Sequence, residues 1–169
     1  MCTTSGAAAN YKRQKKPLLE MKIGFTGTRQ GLTVQQEMNL DDLLSDIAID
    51  TAADDSPIEF HHGDCIGADA QAHDIVDALP DRRIIIHPPS DPKYRAFKEG
   101  DEVRDEASYL ERNTDIVDEG EDLLIACPKE GQEVLRSGTW STIRRGRKAG
   151  RPVVIIYPDG NMYKSWEGT

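Results

Sequence analysis

Five short apolar runs alternate with stretches of helical periodicity along most of this chain. The runs are MKIGFTG, IEFHHG, RRIIIHPP, DLLIACP and PVVIIYP. Nearly continuous apolar runs of this length predict strands that are buried on both faces of a sheet. Strands that alternate with helices and connect by right-handed crossovers predict a parallel sheet with helices on both faces. We therefore expect a single Rossmann-like α/β domain with a five-stranded parallel sheet in the order 3-2-1-4-5.

Four helices are predicted between these strands. Thr33 and Gln36 have the spacing of a capping box, so the first helix is expected to begin there and to bury the leucines that follow at helical spacing. A second helix is predicted from about Gly67 to Leu79, and a third from about Asp101 to Glu119. The segment SGTWSTIRRGRKAG predicts the fourth.

The chain length fits one domain preceded by a short tail. A chain of 169 residues is long enough for a single domain with its own core. Residues 1–20 are small and polar and then basic, which indicates a flexible tail, and residues 21–169 form the predicted domain. A basic run is more often a solvated segment than an arm that binds nucleic acid. Because Met21 coincides with the start of the first strand, a misplaced start codon would also account for the tail.

Composition disfavours several classes of function. The formal net charge of −9 argues against a nucleic-acid partner, since neutralising phosphates needs a basic surface. A small anionic ligand remains compatible, because a pocket can be locally positive on an acidic protein. The chain has no run of about 18 apolar residues, no apolar stretch after its basic leader and only three scattered cysteines. These features predict a cytoplasmic protein without a membrane partner.

The loops that follow the strands are the candidates for ligand binding. In an open parallel sheet, ligands bind beyond the carboxyl ends of the strands, where the strand order reverses. Glycine-containing loops follow the first strand at 24–31 and the second at 62–69. After the fourth strand come residues 127–129 and then residues 136–142, which open the last helix. Glycine lets backbone N–H groups approach an anion, and a helix N-terminus adds a favourable dipole. We expect these three segments to form one anion-accepting cleft.

The first loop, GFTGTRQG, has neither the Walker sequence nor the G-x-G-x-x-G fingerprint. The alternative to a ligand-binding role is a plain turn between strand and helix. Two hydroxyls and one guanidinium favour phosphate binding, because all three donate hydrogen bonds to phosphate oxygens. The residues predicted to bind the ligand are Gly24, Thr26, Gly27, Thr28 and Arg29.

The second loop supplies the only candidate catalytic carboxylates, Asp64 and Asp69. Asp69 is expected in the first turn of its helix, where the helix dipole favours the ionised form. There it could accept hydrogen bonds from ribose hydroxyls, or it could simply stabilise the helix end, whereas Asp64 has the alternative role of a turn residue. Gly63, Gly67 and Asp69 are predicted to bind the ligand.

In the third segment, Ser137, Gly138, Thr139 and Thr142 are predicted to bind the ligand at the positive end of the last helix. Trp140 could stack on a base, but packing in the core is the more usual role of a lone tryptophan. The basic residues toward the other end of this helix complement its negative pole, which favours a solvated face over a nucleic-acid patch.

Metal and redox sites are not predicted. His61, His62, Cys65 and His73 include ligand types but lack a standard zinc spacing, and adjacent strand residues such as His61 and His62 point to opposite faces. Cys65 and Cys127 are expected two inter-strand spacings apart, roughly 10 Å, which is beyond disulfide reach. We therefore predict no metal and no cofactor.

Four segments together resemble the SLOG superfamily, the Rossmann-like group that includes DprA/Smf and the LOG proteins, and are most similar to its YspA/YpsA-like branch. They are KIGFTGTR, HHGDCIGADAQAH, ERNTDIVDEGEDLLIACP and SGTWSTIRRGRKAGRPVVII, which span about residues 21–157. Each motif is modestly specific, and their shared order and spacing are more specific than any one of them.

This resemblance implies a site for a nucleotide or nucleotide-like ligand, and it marks Arg112 and Asn113 as site residues. LOG proteins cleave the N-glycosidic bond of cytokinin nucleotides and carry a P-G-G-x-G-T-x-x-E motif. Here Gly138 and Thr139 match that motif, while Thr142 stands in place of its glutamate. Because glycosidic cleavage uses a carboxylate near the anomeric carbon, this difference argues against LOG-type hydrolysis. Members of this superfamily form dimers or larger assemblies, so the resemblance also allows a homo-oligomer.

Three functions follow, in decreasing order of support. The first is binding or sensing of a nucleotide or nucleotide-derived small molecule at the carboxyl edge of the sheet. The second is an enzyme that hydrolyses or transfers at a nucleoside or nucleotide N-glycosidic bond, with Asp64 and Asp69 as its carboxylates. The third is DprA-like binding of single-stranded DNA, which only the tail and the RRGRK segment support.

Overall fold

The computed structural model describes residues 20–53 and 55–167. The predicted tail, residues 1–20, lies outside this part of the chain except for Glu20. The strands are β1 (Met21–Gly27), β2 (Ile58–His62), β3 (Arg82–Ile86), β4 (Glu102–Val103), β5 (Leu123–Cys127), β6 (Val153–Ile156) and β7 (Met162–Lys164). The helices are α1 (Val34–Ala52), α2 (Ala68–Asp77), α3 (Tyr109–Glu119) and α4 (Gly138–Lys148), with a 3₁₀ turn at Pro92–Tyr94.

The strands form one sheet in the order β4-β3-β2-β1-β5-β6-β7. The five predicted strands are β1, β2, β3, β5 and β6; they stand in the predicted order and pair in parallel. The prediction of a five-stranded, wholly parallel sheet is wrong, because the described chain adds β4 at one edge and β7 at the other. β7 pairs antiparallel with β6.

Both additional strands are short, and turn chemistry places them at the edges. Tyr157 donates its N–H to the carbonyl of Asn161 across a tight turn, and Gly160 supplies the left-handed backbone of that turn with φ 92°. β4 lies within the segment predicted as the start of the third helix. That helix begins instead at Tyr109, where Ser108 and Glu111 form a capping box.

The first helix begins as predicted, and its capping box also anchors it to the sheet. Thr33 is the N-cap, and its side chain accepts a hydrogen bond from the N–H of Gln36 at 3.1 Å. The Gln36 side chain accepts in return from the N–H of Thr33 at 3.0 Å. Its amide nitrogen donates to the carbonyls of Pro128 and Ile156, just beyond β5 and at the end of β6. The capping box therefore provides hydrogen-bond partners for N–H groups at the start of α1 and for carbonyls at the ends of two strands.

Helices cover both faces of the sheet, as predicted. On one face, α1 and α2 pack against β1 and β2 in a core that includes Leu44, Phe25 and Phe60. On the other face, Val117 of α3 and residues of α4 pack in a second core. Trp140 belongs to this second core and is only 1 % exposed. Its packing role is thus confirmed, and the alternative of stacking on a ligand base is wrong.

Among the described residues, no helix combines the length and the apolar character needed to cross a membrane.

Candidate functional site

A cavity of about 550 Å³ lies at the carboxyl ends of the central strands. It is bounded by the end of β1, the loop after β2, the first turns of α2 and α3, and the N-terminus of α4. The predicted site residues that line it are Thr26, Gly27, Thr28, Arg29, Gly63, Asp69, Arg112, Asn113, Ser137, Gly138 and Thr139. The three predicted segments therefore converge on one cavity.

Three of the residues predicted to bind the ligand lie outside the lining and support it from behind. A side chain at Gly24 would approach the carbonyl of Ile116 to 2.8 Å, so this glycine lets α3 pass close to β1. Gly67 has φ 89° and lies against the carbonyl of Arg29. Thr142 is buried and donates its hydroxyl to the carbonyl of Gly138 at 2.9 Å. These positions shape the loops rather than contact the cavity.

Asp64 is a structural residue in this fold. It is fully buried and outside the cavity lining. One carboxylate oxygen accepts from the Arg95 Nε at 3.0 Å, and the other accepts from the N–H of Lys98 at 3.0 Å. Its backbone φ of 56° is the left-handed conformation common for aspartate in turns. Asp64 therefore has the role of a turn residue. Its carboxylate does not reach the cavity, so it is not placed to take part in catalysis there.

Asp69 is the carboxylate that does reach the cavity. It lies in the first turn of α2, as expected, and is 5 % exposed. Its Oδ2 accepts the N–H of Cys65 at 3.1 Å. Burial raises the pKa of Asp69 to about 6, although the nearby Arg112 guanidinium and the N–H groups of Cys65 and Gly63 favour the ionised form. A carboxyl with this pKa gains and loses a proton close to neutral pH.

Arg112 places a buried cation in the wall of the same cavity. The residue is 6 % exposed, and it donates to the carbonyl of Gly63 and to the Cys65 Sγ, the latter at 3.3 Å. The Tyr109 ring lies 4.7 Å from the guanidinium carbon. Within residues 20–53 and 55–167, no carboxylate forms an ion pair with Arg112. A buried charge without a direct counter-ion is costly unless another anion compensates it.

The cavity carries more basic than acidic side chains, although the whole chain is acidic. The charged residues in its lining are Arg29, Arg112, Lys129 and Arg136 against Asp69 and Glu130, four cations to two anions. The whole chain has a formal net charge of −9. Arg29 is exposed, and its guanidinium carbon lies 4.1 Å from the centre of the Tyr94 ring. The site is thus locally positive.

The N-terminus of α4 offers backbone donors to this cavity. Ser137 is the N-cap, and its hydroxyl accepts the N–H of Trp140 at 3.3 Å. The N–H groups of Gly138 and Thr139 precede the first intrahelical hydrogen bonds, so they remain available to an anion. Both residues line the cavity.

Some lining residues were not predicted. Tyr109 and Glu130 line the cavity. Lys129 and Arg136 also line it; they belong to a segment that was expected at the site, although neither was named as a ligand-binding residue. Tyr109 lies one helical turn before Arg112, but the expected helix start at Asp101 placed it in mid-helix. Glu130 lies three residues beyond the end of β5, so the rule that ligands bind beyond the carboxyl ends of strands would have included it.

The two cysteines of the described chain are free thiols, as the predicted spacing requires. Cys65 lines the cavity, but burial raises its pKa above the ordinary value. Burial also raises the pKa of Cys127. Since the thiolate is the nucleophilic form, neither cysteine is prepared for nucleophilic catalysis.

Metal-ligand types converge at a second place, away from the cavity. His61 and His62 point to opposite faces of the sheet, as predicted: His61 contacts His87, whereas His62 contacts His73 of α2. In the part of the chain that the structure describes, His61, His87 and Glu119 have ligand atoms close enough to share an ion.

Comparisons of this chain with protein-family models, curated proteins and solved structures gave no match. The resemblance to the SLOG superfamily therefore depends on the four sequence segments alone.

Proposed function

We propose that this protein binds a nucleotide or a nucleotide-derived small molecule in the cavity at the carboxyl edge of the sheet. The observation that carries the proposal is the excess of basic side chains around a concave site on a strongly acidic chain. A volume of about 550 Å³ also falls in the range of small-molecule sites.

The phosphate of such a ligand would lie at the N-terminus of α4. The N–H groups of Gly138 and Thr139 lie at the positive end of the α4 dipole, and Thr139 also carries a hydroxyl. Arg29 would add a charge-assisted hydrogen bond from the β1 loop. Backbone donors combined with one exposed guanidinium suit a phosphate better than a neutral group.

The sugar of the ligand would lie toward Asp69 and Asn113. An ionised carboxylate accepts hydrogen bonds from vicinal hydroxyls, and an amide can both donate and accept. Arg112 also lines the cavity, and its charge would favour the ionised form of Asp69 when a ligand displaces water. The SLOG resemblance implies the same class of ligand, which adds independent support from the sequence.

Thermal unfolding of the full chain with a panel of mononucleotides, cyclic nucleotides, NAD and ADP-ribose tests this proposal. A ligand at a hundredfold over its Kd should stabilise the fold by about 2.7 kcal/mol. Arg29→Ala and Thr139→Ala should each reduce that shift. Arg82→Ala is the matched control: it removes the same charge at the start of β3, where Arg82 pairs with Asp77. Equal losses in Arg29→Ala and Arg82→Ala, or no shift with any compound, would contradict the proposal.

A second candidate is hydrolysis or transfer at an N-glycosidic bond, and the position of Asp69 favours it. Asp69 is a carboxyl in the cavity with a pKa of about 6, which suits a group that exchanges protons near neutral pH. Release of free base from nucleoside monophosphates, lost in Asp69→Asn, would support this activity. Intact substrates after long incubation with concentrated protein would rule it out.

Single-stranded DNA binding gains no support from α4. Arg144 and Arg147 both pair with Glu133, at 3.1 and 3.2 Å. Two cations of the RRGRK segment therefore already have a carboxylate partner.

A further inference from the structure

Three potential metal ligands converge on the face of the sheet that α3 covers. His61 belongs to β2, His87 follows β3 directly, and Glu119 is the last residue of α3. The ligand atoms of all three lie within 4.8 Å of one another. None of the three lines the cavity described above. They come from sequence positions that no local motif connects.

The distances between these atoms are close to those of a coordination sphere. The Nδ1 of His61 lies 2.9 Å from the Nε2 of His87 and 3.6 Å from the Oε2 of Glu119. Nitrogen and oxygen ligands about 2.0–2.1 Å from a tetrahedral metal are roughly 3.3 Å apart. The two separations from His61 differ from this value by about 0.3–0.4 Å, and the ligand atoms of His87 and Glu119 lie within 4.8 Å of each other, so side-chain rotations would bring the three to that geometry.

Glu59 orients the His61 ring as a ligand. Its Oε1 lies 2.8 Å from the His61 Nε2, so the proton of His61 belongs on Nε2 and the lone pair of Nδ1 faces His87 and Glu119. A carboxylate that holds the far nitrogen of a histidine is the usual outer partner in metal sites. The Nδ1 lone pair accepts the Nε2 proton of His87, so metal binding needs only a tautomer change at His87.

Charged groups of both signs surround the three ligands. The carboxylates of Glu59, Glu102 and Glu119 face the guanidinium groups of Arg83 and Arg104. Lys22 acts on His61 and Arg112 acts on His87 as further cations, so Glu119 is the ligand that brings negative charge to the group. The hydrogen bond from Arg104 to Glu119 leaves further lone pairs on that carboxylate.

The chain contains its own contrast to this arrangement. His62 and His73 form a second imidazole pair with the same 2.9 Å separation. The other ring nitrogen of His62 accepts the N–H of Asp64 at 3.0 Å, so no carboxylate orients that ring. No third ligand of the described chain joins this pair.

We propose that His61, His87 and Glu119 form a binding site for one divalent transition-metal ion, with Glu59 as its outer partner. Two imidazoles and a carboxylate suit ions such as zinc, cobalt and iron(II) rather than calcium or magnesium. Three protein ligands leave a fourth position open to water or a small molecule. This site is independent of the ligand proposed for the cavity.

Titration of the chelator-stripped full chain with Zn²⁺ and Co²⁺, followed by calorimetry and visible absorption, tests the proposal. The wild type should bind one equivalent of Zn²⁺ with these ligands. Bound Co²⁺ should show d–d bands without a thiolate charge-transfer band, because no cysteine belongs to the site. His87→Gln and Glu119→Gln should each weaken binding at least tenfold, and Glu59→Gln by about 10- to 100-fold.

His73→Gln is the matched control, since it breaks the contrasting imidazole pair and should change affinity less than twofold. Glu119 has a side chain that is 37 % exposed, so Glu119→Gln keeps the test valid if His87→Gln does not fold. Absence of binding by the wild type, a thiolate band with Co²⁺, unchanged affinity in Glu119→Gln, or an equal loss in His73→Gln would each overturn the proposal.

Discussion

Replacing Asp69 by asparagine should stabilise the fold in a pH-dependent way. Asp69 is buried in the cavity wall, and its Oδ2 accepts the N–H of Cys65. Asparagine has nearly the same shape and keeps one acceptor oxygen, but it cannot ionise. The substitution therefore removes the cost of holding a buried negative charge and leaves the packing largely unchanged.

The size of this effect follows from the pKa of Asp69. Burial raises the pKa from 3.8 to about 6, which corresponds to about 3 kcal/mol. Because the folded state binds the proton more tightly than the unfolded state, the wild type loses stability as the pH rises from about 4 to about 6. Asparagine does not titrate. The free energy of unfolding of Asp69→Asn, relative to wild type, should therefore rise with pH, by about 2 kcal/mol between pH 4.5 and 7.5.

Urea unfolding of both proteins at pH 4.5, 5.5, 6.5 and 7.5 measures this difference directly. Using the difference between the two proteins cancels the contributions of the other titrating groups, provided that they do not couple to Asp69. Asp105→Asn removes an exposed carboxylate and controls for the change in net charge. The same Asp69→Asn protein should lose the ligand-induced thermal shift, which links the stability cost to function.

A relative stability that stays constant over this pH range would refute the reasoning. So would a relative stability that falls as the pH rises, since Asp69 would then be stabilised by its surroundings. Either result would remove the physical basis for treating Asp69 as a carboxyl maintained for a ligand.

Three further predictions concern stability. Asp64→Asn should destabilise the fold by about 1.5–3 kcal/mol in urea unfolding, because it removes the buried carboxylate that accepts from Arg95 and leaves that guanidinium only the exposed Glu106. A loss below about 1 kcal/mol would contradict this. Gly67→Ala should lower the free energy of unfolding by about 2 kcal/mol or more, because the φ of Gly67 is 89° and a Cβ there would lie 2.4 Å from a carbonyl oxygen. Gly131→Ala is the control and should lower it less, because a Cβ at Gly131 meets no atom within 4 Å. Burial lowers the pKa of all four histidines, so the unfolded state binds more protons at these residues and Tm should fall as the pH drops from 6.5 to 4. Asp69 contributes in the opposite direction, because its pKa is raised. A constant Tm would show that these imidazoles can be protonated in the fold.

Local patterns in the sequence were sufficient for the central part of the fold. The strand MKIGFTG has the predicted bounds, Met21–Gly27, because a buried strand needs a continuous apolar run with breakers at its end. The capping box at Thr33 fixes the start of α1, because both of its hydrogen bonds are formed within four residues. The order expected for a Rossmann-like sheet is also the order of the five main strands.

The edges of the sheet depended on longer-range contacts. β4 has two residues and β7 three, too few for an alternation pattern to be recognised. Their pairing depends on the neighbouring strand that each one meets. The start of α3 was misplaced for a related reason, since the acidic segment before Tyr109 has helical composition but is partly used by β4.

The sequence by itself determined which loops lie at the carboxyl edge, because chain connectivity and parallel pairing bring those ends together. Only the tertiary structure separated Asp69, which lines the cavity, from Asp64, which is held by Arg95. Only the tertiary structure brought His61, His87 and Glu119 together, across 58 positions of sequence from His61 to Glu119. Burial and the distances between distant residues set the charge and pKa of each group, and neither quantity is contained in local sequence spacing.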